Sequence, residues 1–225
     1  MTINKKRFHS LASRLSLGII ILGAIVFIGV LGMNYVQSRN LLEDYIGELA
    51  RTTAASTVKE IETVFSSVAT SADSLAAVVI KADISEAQIQ DAIRAFIRIN
   101  PNIYGMTVAL EPNILQQDIG EFAPYYFKDG DSLGYADLAA DDYRYLIWDW
   151  YNIPRESSRA TWTEPYFDEG GGNALMTTYS TPLKVGSDKR FAGVATADIS
   201  LGWLQHMVEN IQILETGFGL IVSCL

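Results

Sequence analysis

The sequence predicts an α+β protein on a membrane anchor: one N-terminal transmembrane helix running on into a long helix, then a domain with an antiparallel sheet and flanking helices. Three observations carry this. No charged residue occurs from Leu15 to Ser38. From Ala54 to Val79 apolar residues recur in alternating steps of four and three. Beyond Asn100-Pro101 the period changes to two, broken by Gly, Asp and Asn turns, which is the signature of strands.

At 1.5 Å per residue, about 20 apolar residues cross a ~30 Å hydrocarbon core, and Leu17–Val36 is almost wholly apolar. Lys5, Lys6, Arg7 and Arg14 precede it, so the positive-inside rule places residues 1–14 in the cytoplasm, 15–38 in the membrane and the rest outside the cytoplasmic membrane. A cleaved signal peptide is the alternative, but the apolar run exceeds a usual signal core and no Ala-x-Ala site follows it. Residues 39–82 read as a continuing helix, with the seam Ala54, Val58, Ile61, Phe65, Val68, Ala72, Leu75 and Val79 expected to be buried. Such a helix can cover a sheet with one face and meet a second copy of itself with another, making a homodimer possible. Ser85-Glu-Ala-Gln88 is a capping box opening a second helix with Ile89, Ala92, Ile93, Phe96 and Ile97 inward. That helix stops at Asn100-Pro101.

Strands are expected over Ile103–Leu110, Pro124–Lys128, Ala174–Leu183 and Arg190–Ile199, with reversals at Gly170–Asn173 and Gly186–Lys189. Leu201–Ile213 reads as a short amphipathic helix, and Thr216–Val222 as one more strand. Asp129-Gly-Asp131-Ser-Leu133-Gly134 has the outline of a calcium loop, but Leu133 and Ala140 stand where oxygen ligands belong, so it reads as a solvated turn.

Composition narrows the function. A net charge of −9 argues against nucleic acid as a partner. Two isolated histidines, His9 and His206, and the single Cys224 offer neither a zinc site nor a Ser-His-Asp set, and no cofactor or metal is expected. The triple glycine lacks the Lys-Ser/Thr of a phosphate loop.

The informative stretch is Tyr143–Asp198, where aromatic residues crowd around a few acids: Tyr143, Trp148, Trp150, Tyr151, Tyr166, Asp168 and Asp198. Aromatic faces and fixed carboxylates attract the same small cation. Each residue also has a structural reading. Trp150 and Tyr151 are as readily core, and Asp168 can cap the Gly170–Gly172 turn. Asp198 ends an apolar strand, where an unpaired carboxylate is costly and a ligand or hydrogen-bonding role follows. Its other reading, capping the helix at Leu201, suits Ser200 better. Trp162 and Pro165 are assigned to the scaffold.

The order and spacing of these residues, from Asn34 to Leu225, resemble a double-Cache sensor domain, the extracytoplasmic module of bacterial transmembrane receptors. The resemblance implies a PAS-like Cache fold, with residues 83–213 the membrane-distal ligand-binding subdomain and 214–225 the start of a proximal subdomain cut short. It also implies signal transduction rather than catalysis. In amino-acid-binding relatives the pocket is a Tyr, an Arg five residues on, a Trp-Tyr pair, a Tyr-x-Asp and a distant Asp. Those positions fall here on Tyr143, Trp148, Trp150 with Tyr151, Tyr166 with Asp168, and Asp198. The arginine position holds Trp148, which cannot make the bidentate contact that seats a ligand carboxylate, unless Arg144, Arg155 or Arg159 replaces it. The implied ligand is a small amine or amino acid. Two other readings stay open. An anchored carboxylate hydrolase needs Asp168 and Asp198 across an open groove, and a dimerisation or assembly module needs no cavity at Trp150 and Tyr166.

Overall fold

The computed structural model describes residues 11–81, 84–114 and 120–209. The chain divides into two units, Met1–Ala55 and Ser56–Leu225. A single helix, α1 (Leu11–Lys81), contributes to both. In the first unit its apolar side chains, among them Ile19, Phe27 and Leu31, are exposed. An 18-residue window there has a mean hydropathy of 2.7 and no burial, so by length and composition it can cross a membrane.

The second unit is a seven-stranded, wholly antiparallel sheet between two layers. Its strands are β1 (Gly105–Leu110), β2 (Pro124–Asp129), β3 (Ser132–Asp137), β4 (Thr161–Trp162), β5 (Tyr166–Phe167), β6 (Leu175–Val185) and β7 (Arg190–Ser200). The order is β3-β2-β1-β7-β6-β4, with β5 also on β6. Side chains alternate between faces along each strand. Met106, Val108, Leu183, Ala195, Ala197 and Ile199 point to one layer, where they pack with Val68, Ala72 and Leu75 of α1. Ile89, Ile93 and Ile97 of α2 (Glu86–Ile99) complete that core. Burying one such aliphatic side chain stabilises by about 1.5–3 kcal/mol.

The seam on α1 is buried only in its later half. Ala54 is exposed and Val58 is 53% exposed, whereas Val68, Ala72 and Leu75 are fully buried. Periodicity shows that a helix has an apolar face but not where the surface covering it ends. Trp162 holds this layer together, packing on Phe65 at 4.6 Å and on Tyr179 at 5.2 Å. The expected capping box is present, with Ser85 accepting from the Gln88 amide and Gln88 Oε1 accepting from the Ser85 amide. Asn100 ends α2 and donates to Ser67 and Ser71 on α1.

Asp129–Gly134 holds the solvated turn expected there, which reverses the hairpin between β2 and β3 with Gly130 at a positive φ. Trp150 and Tyr151 lie on a short helix that the sequence did not announce, α3 (Asp149–Ser157), which follows a 3-10 turn at Tyr145–Ile147. Pro154, inside α3, masks it in the sequence, since proline normally argues against helix. Leu201 opens α4 (Leu201–Glu209), with Ser200 Oγ accepting from the Gly202 amide at 3.3 Å; Thr216–Val222 and the rest of the Leu201–Ile213 segment lie outside the described residues. At the edge of the β6–β7 bulge, Gly193 has φ +142° and a Cβ there would sit 2.2 Å from the Ala109 carbonyl oxygen. Only glycine satisfies both demands.

Candidate functional site

The site lies on the sheet face away from α1 and α2. A second core covers that face, made of Ala109, Tyr125, Val194 and the aromatics Tyr143, Tyr145, Trp150 and Tyr151. Two carboxylates sit at its end. Asp168, just after β5, and Asp198, on β7, are each 2% exposed.

Asp168 is held by its own turn. One oxygen accepts from the Tyr143 hydroxyl at 2.5 Å and the other from the Gly172 amide at 2.7 Å. It therefore does cap the glycine turn, as its structural reading allowed, while also fixing Tyr143. Burial pushes its carboxyl upward, and those two donors pull it back. Asp198 pairs through its backbone with Gly105 on one side and Thr178 on the other. Burial raises its carboxyl to about 7, the Thr178 and Tyr125 hydroxyls oppose the rise, and the Asp168 charge adds to it. Close approach at this point depends on Gly105, where a Cβ would lie 2.2 Å from the Tyr125 hydroxyl oxygen.

In front of the acids stands an aromatic wall. Trp148 stacks on Tyr143 at 4.9 Å and 12°, tilts against Tyr166 at 5.7 Å, and donates its indole N–H to the Tyr143 carbonyl. Trp150 donates to the Tyr143 hydroxyl at 3.3 Å. The Tyr166 hydroxyl shares a hydrogen bond of 2.8 Å with Thr178 Oγ1, and both acids together with burial hold its phenol well above the ordinary range. Trp148, Trp150 and Tyr166 line a cleft of about 370 Å³. The carboxylates in its lining are Asp149 and Glu164, with Ile147, Ile153 and Pro165 supplying apolar surface.

Tyr143, Trp148, Trp150, Tyr166, Asp168 and Asp198 thus form one connected set, Asp198 through Thr178. Tyr151 meets it only through its ring, edge-on to Trp150 at 6.1 Å. Its hydroxyl turns to Glu111 at 2.9 Å and its ring packs on Tyr145 and Phe191, because neighbours on a helix point about 100° apart. Pro165 is exposed and borders the cleft, so it is not scaffold in the sense that Trp162 is. None of Arg144, Arg155 and Arg159 lines the cleft, and Arg155 pairs with Glu111 at 3.1 Å. Sequence reasoning missed Asp149, Glu164, Thr178 and Tyr125. Asp149 stood in view inside Trp148-Asp-Trp150, and Glu164 inside Trp162-Thr-Glu-Pro; the other two emerge only from strand register.

Comparison with known proteins decides the family. The model of the methyl-accepting chemotaxis protein-like first PDC sensor domain matches residues 89–206, just over half of the chain. The chain belongs to this family. The PDC domain is the Cache-type sensor fold that the aromatic and acidic spacing resembles. Among curated relatives, the methyl-accepting chemotaxis protein TlpQ of Pseudomonas aeruginosa is 28% identical over 142 residues, covering 52% of this chain and 20% of TlpQ. The matched region is thus about a fifth of that relative's length. Among solved structures, the extracellular domain of the histidine kinase soHK1S-Z6 aligns with TM-score 0.60 and 27% identity over 67% of this chain and 58% of that one. The ligand-binding domain of the P. aeruginosa amino acid chemoreceptor PctC, in complex with GABA, shares the fold with TM-score 0.53 at 18% identity, covering 75% of this chain and 68% of that one. These relatives are sensor domains of chemoreceptors and kinases, and the PDC domain here has their architecture.

Proposed function

We propose that this PDC domain is the ligand-binding region of a transmembrane receptor and that it recognises a small amine outside the cytoplasmic membrane. In this reading residues 1–14 are cytoplasmic, 15–38 span the membrane, 39–82 carry the signal helix and 83–213 hold the ligand. The observation that carries it is the charge of the site. Two buried carboxylates stand behind an aromatic wall, the cleft in front adds Asp149 and Glu164, and among the described residues no basic one lines it.

The chemistry follows from those groups. Asp149 and Glu164 draw a cation to the mouth, where Trp148 and Trp150 offer ring faces worth roughly 0.5–2 kcal/mol each by cation–π contact. Tyr166 stands between the cleft and Thr178, so its movement would admit the ammonium to Asp198. Asp198 would then release its proton to solvent through the opened cleft and exchange hydroxyl partners for a charge-assisted bond to the ammonium. Asp168 remains tied to Tyr143 and Gly172 and acts mainly through its charge. A ligand carboxylate entering the same acidic surroundings without a basic partner would lose several kcal/mol of hydration, roughly. The PctC fold holds GABA, which carries both an ammonium and a carboxylate; here Trp148 favours ligands with the ammonium alone. Binding switches a receptor only through contacts that differ between two states, and the rearrangement of Tyr166 and α3 supplies such a difference. Leu41, Leu42 and Tyr45 are exposed on the long helix, which suits pairing with a second copy.

Calorimetric titration of the full chain in lipid nanodiscs with an amine and with its parent amino acid tests the reading. The amine should bind at least as well as the amino acid, and Asp198→Asn should abolish its binding. Tight amino-acid binding with no response to the amine would overturn it.

A further inference from the structure

The strand register brings together a set of residues that no single stretch of sequence reveals. Thr107 pairs with Tyr125 on one side and with Thr196 on the other, Thr196 pairs with Ser180, and Ser180 pairs with Thr161. Directly paired residues share a face of an antiparallel sheet. Five strands therefore contribute five hydroxyl side chains to one continuous row, on the face that carries Asp198. Asp198 and Thr178 form the next row along the same strands. On the other side of the hydroxyl row the face turns apolar with Ala109, Val194 and Pro182.

Thr107, Ser180 and Thr196 are buried, and α3 packs across β6 and β7. An apolar core has no use for such a row, because each buried hydroxyl must find a partner. Thr107 donates to the Pro124 carbonyl and Thr161 to the Trp162 carbonyl. Ser180 Oγ, at 0% exposure, is a buried side-chain oxygen with no hydrogen-bond partner among the described residues. It lies two residues from Thr178 on the same strand, so the two side chains are separated by roughly 6.6–6.8 Å along it. A ligand whose ammonium reached Asp198 and whose body ran along β6 would end at Ser180.

We propose that this hydroxyl row seats the far end of the ligand, so that the receptor selects amines carrying a second hydrogen-bonding group over plain alkylamines, with Ser180 as the residue that discriminates. This rests on the amine reading above and extends it from a head group to a whole molecule. An alkyl tail would leave Ser180 Oγ unpaired, whereas a hydroxyl or second amine satisfies it. Buried polar groups discriminate well because the wrong ligand leaves them without partners.

The test uses butylamine and 4-aminobutan-1-ol, whose nitrogen and oxygen in extended form span a distance comparable to one strand repeat. Both are titrated into the full chain in nanodiscs, as wild type, Ser180→Ala, Thr196→Val and Asp198→Asn. The aminoalcohol should bind roughly three- to tenfold more tightly than butylamine to the wild type. Ser180→Ala should bring that ratio to about one by weakening the aminoalcohol alone, with the melting temperature of the ligand-free protein unchanged or raised, and Thr196→Val should narrow the ratio. Equal affinity in the wild type, or a preference that survives Ser180→Ala, overturns the inference. If both bind alike and Asp198→Asn abolishes both, the amine reading stands and the row is only packing. If neither binds, both fall.

Discussion

Asp198→Asn should change the pH dependence of stability, with little effect at acid pH and a gain near neutrality. The carboxyl of Asp198 is 2% exposed and raised to about 7, whereas an aspartate in an unfolded chain titrates near ~3.9. The folded state therefore holds its proton more tightly than the unfolded state. That preference stabilises fully below about pH 4 and is lost progressively as pH rises to about 7. Three pH units at about 1.4 kcal/mol each give roughly 4 kcal/mol, on the order of 10 °C in melting temperature for a domain of this size. Asp168 is displaced in the same direction, so the wild type carries both contributions and only the difference from Asp198→Asn isolates one. Asparagine keeps the shape and stays neutral. Thermal unfolding of wild type and variant from about pH 4 to pH 8 should show curves that nearly coincide at the acid end, diverge as pH rises to about 7 and run parallel above it, with the variant the more stable. A variant that is less stable by the same amount at every pH would mean that Asp198 is ionised and paired throughout, and the reasoning would fail.

Other perturbations separate scaffold from site. Gly105→Ala places a Cβ 2.2 Å from the Tyr125 hydroxyl oxygen, and should destabilise by about 1–3 kcal/mol in chemical denaturation through forced displacement beside Asp198. Leu75→Ala, in the α1–sheet core, should cost about 2–5 kcal/mol, while Val58→Ala, at 53% exposure, should stay within about 0.5 kcal/mol. Trp148→Arg puts a guanidinium on the cleft wall against Tyr143 and Tyr166; in calorimetry it should weaken amines and admit amino acids, by roughly tenfold or more.

Much of the fold was legible because its signals are local. The Ser85–Gln88 box, the stop at Asn100-Pro101 and the turns at Gly170 and Gly186 each act over a few residues. The alternation in β7, with Ala195, Ala197 and Ile199 on one face and Thr196 and Asp198 on the other, survives in the sequence as a strand in which a carboxylate is out of place. What was hidden depends on distant partners. Trp150-Tyr151 looks like one aromatic pair serving one pocket, but a helix sends Tyr151 to Glu111 and leaves Trp150 at Tyr143. Pro154 disguised that helix. Strands β4 and β5 have two residues each and no period to detect. The limit of burial along α1 is set by where the sheet ends, which explains why Val58 looked like Leu75. The hydroxyl row across five strands cannot be seen without register, since its members lie far apart in sequence.

The most direct measurement is a crystal structure of the PDC domain, within the full chain, with an amine such as 4-aminobutan-1-ol bound. The ammonium nitrogen is expected about 2.7–2.9 Å from a carboxylate oxygen of Asp198, with Tyr166 displaced from Thr178 and the Trp148 and Trp150 rings closing over the ligand. An amine bound elsewhere, with Tyr166 still on Thr178 and Asp198 still sealed beneath it, would contradict the assignment of this site.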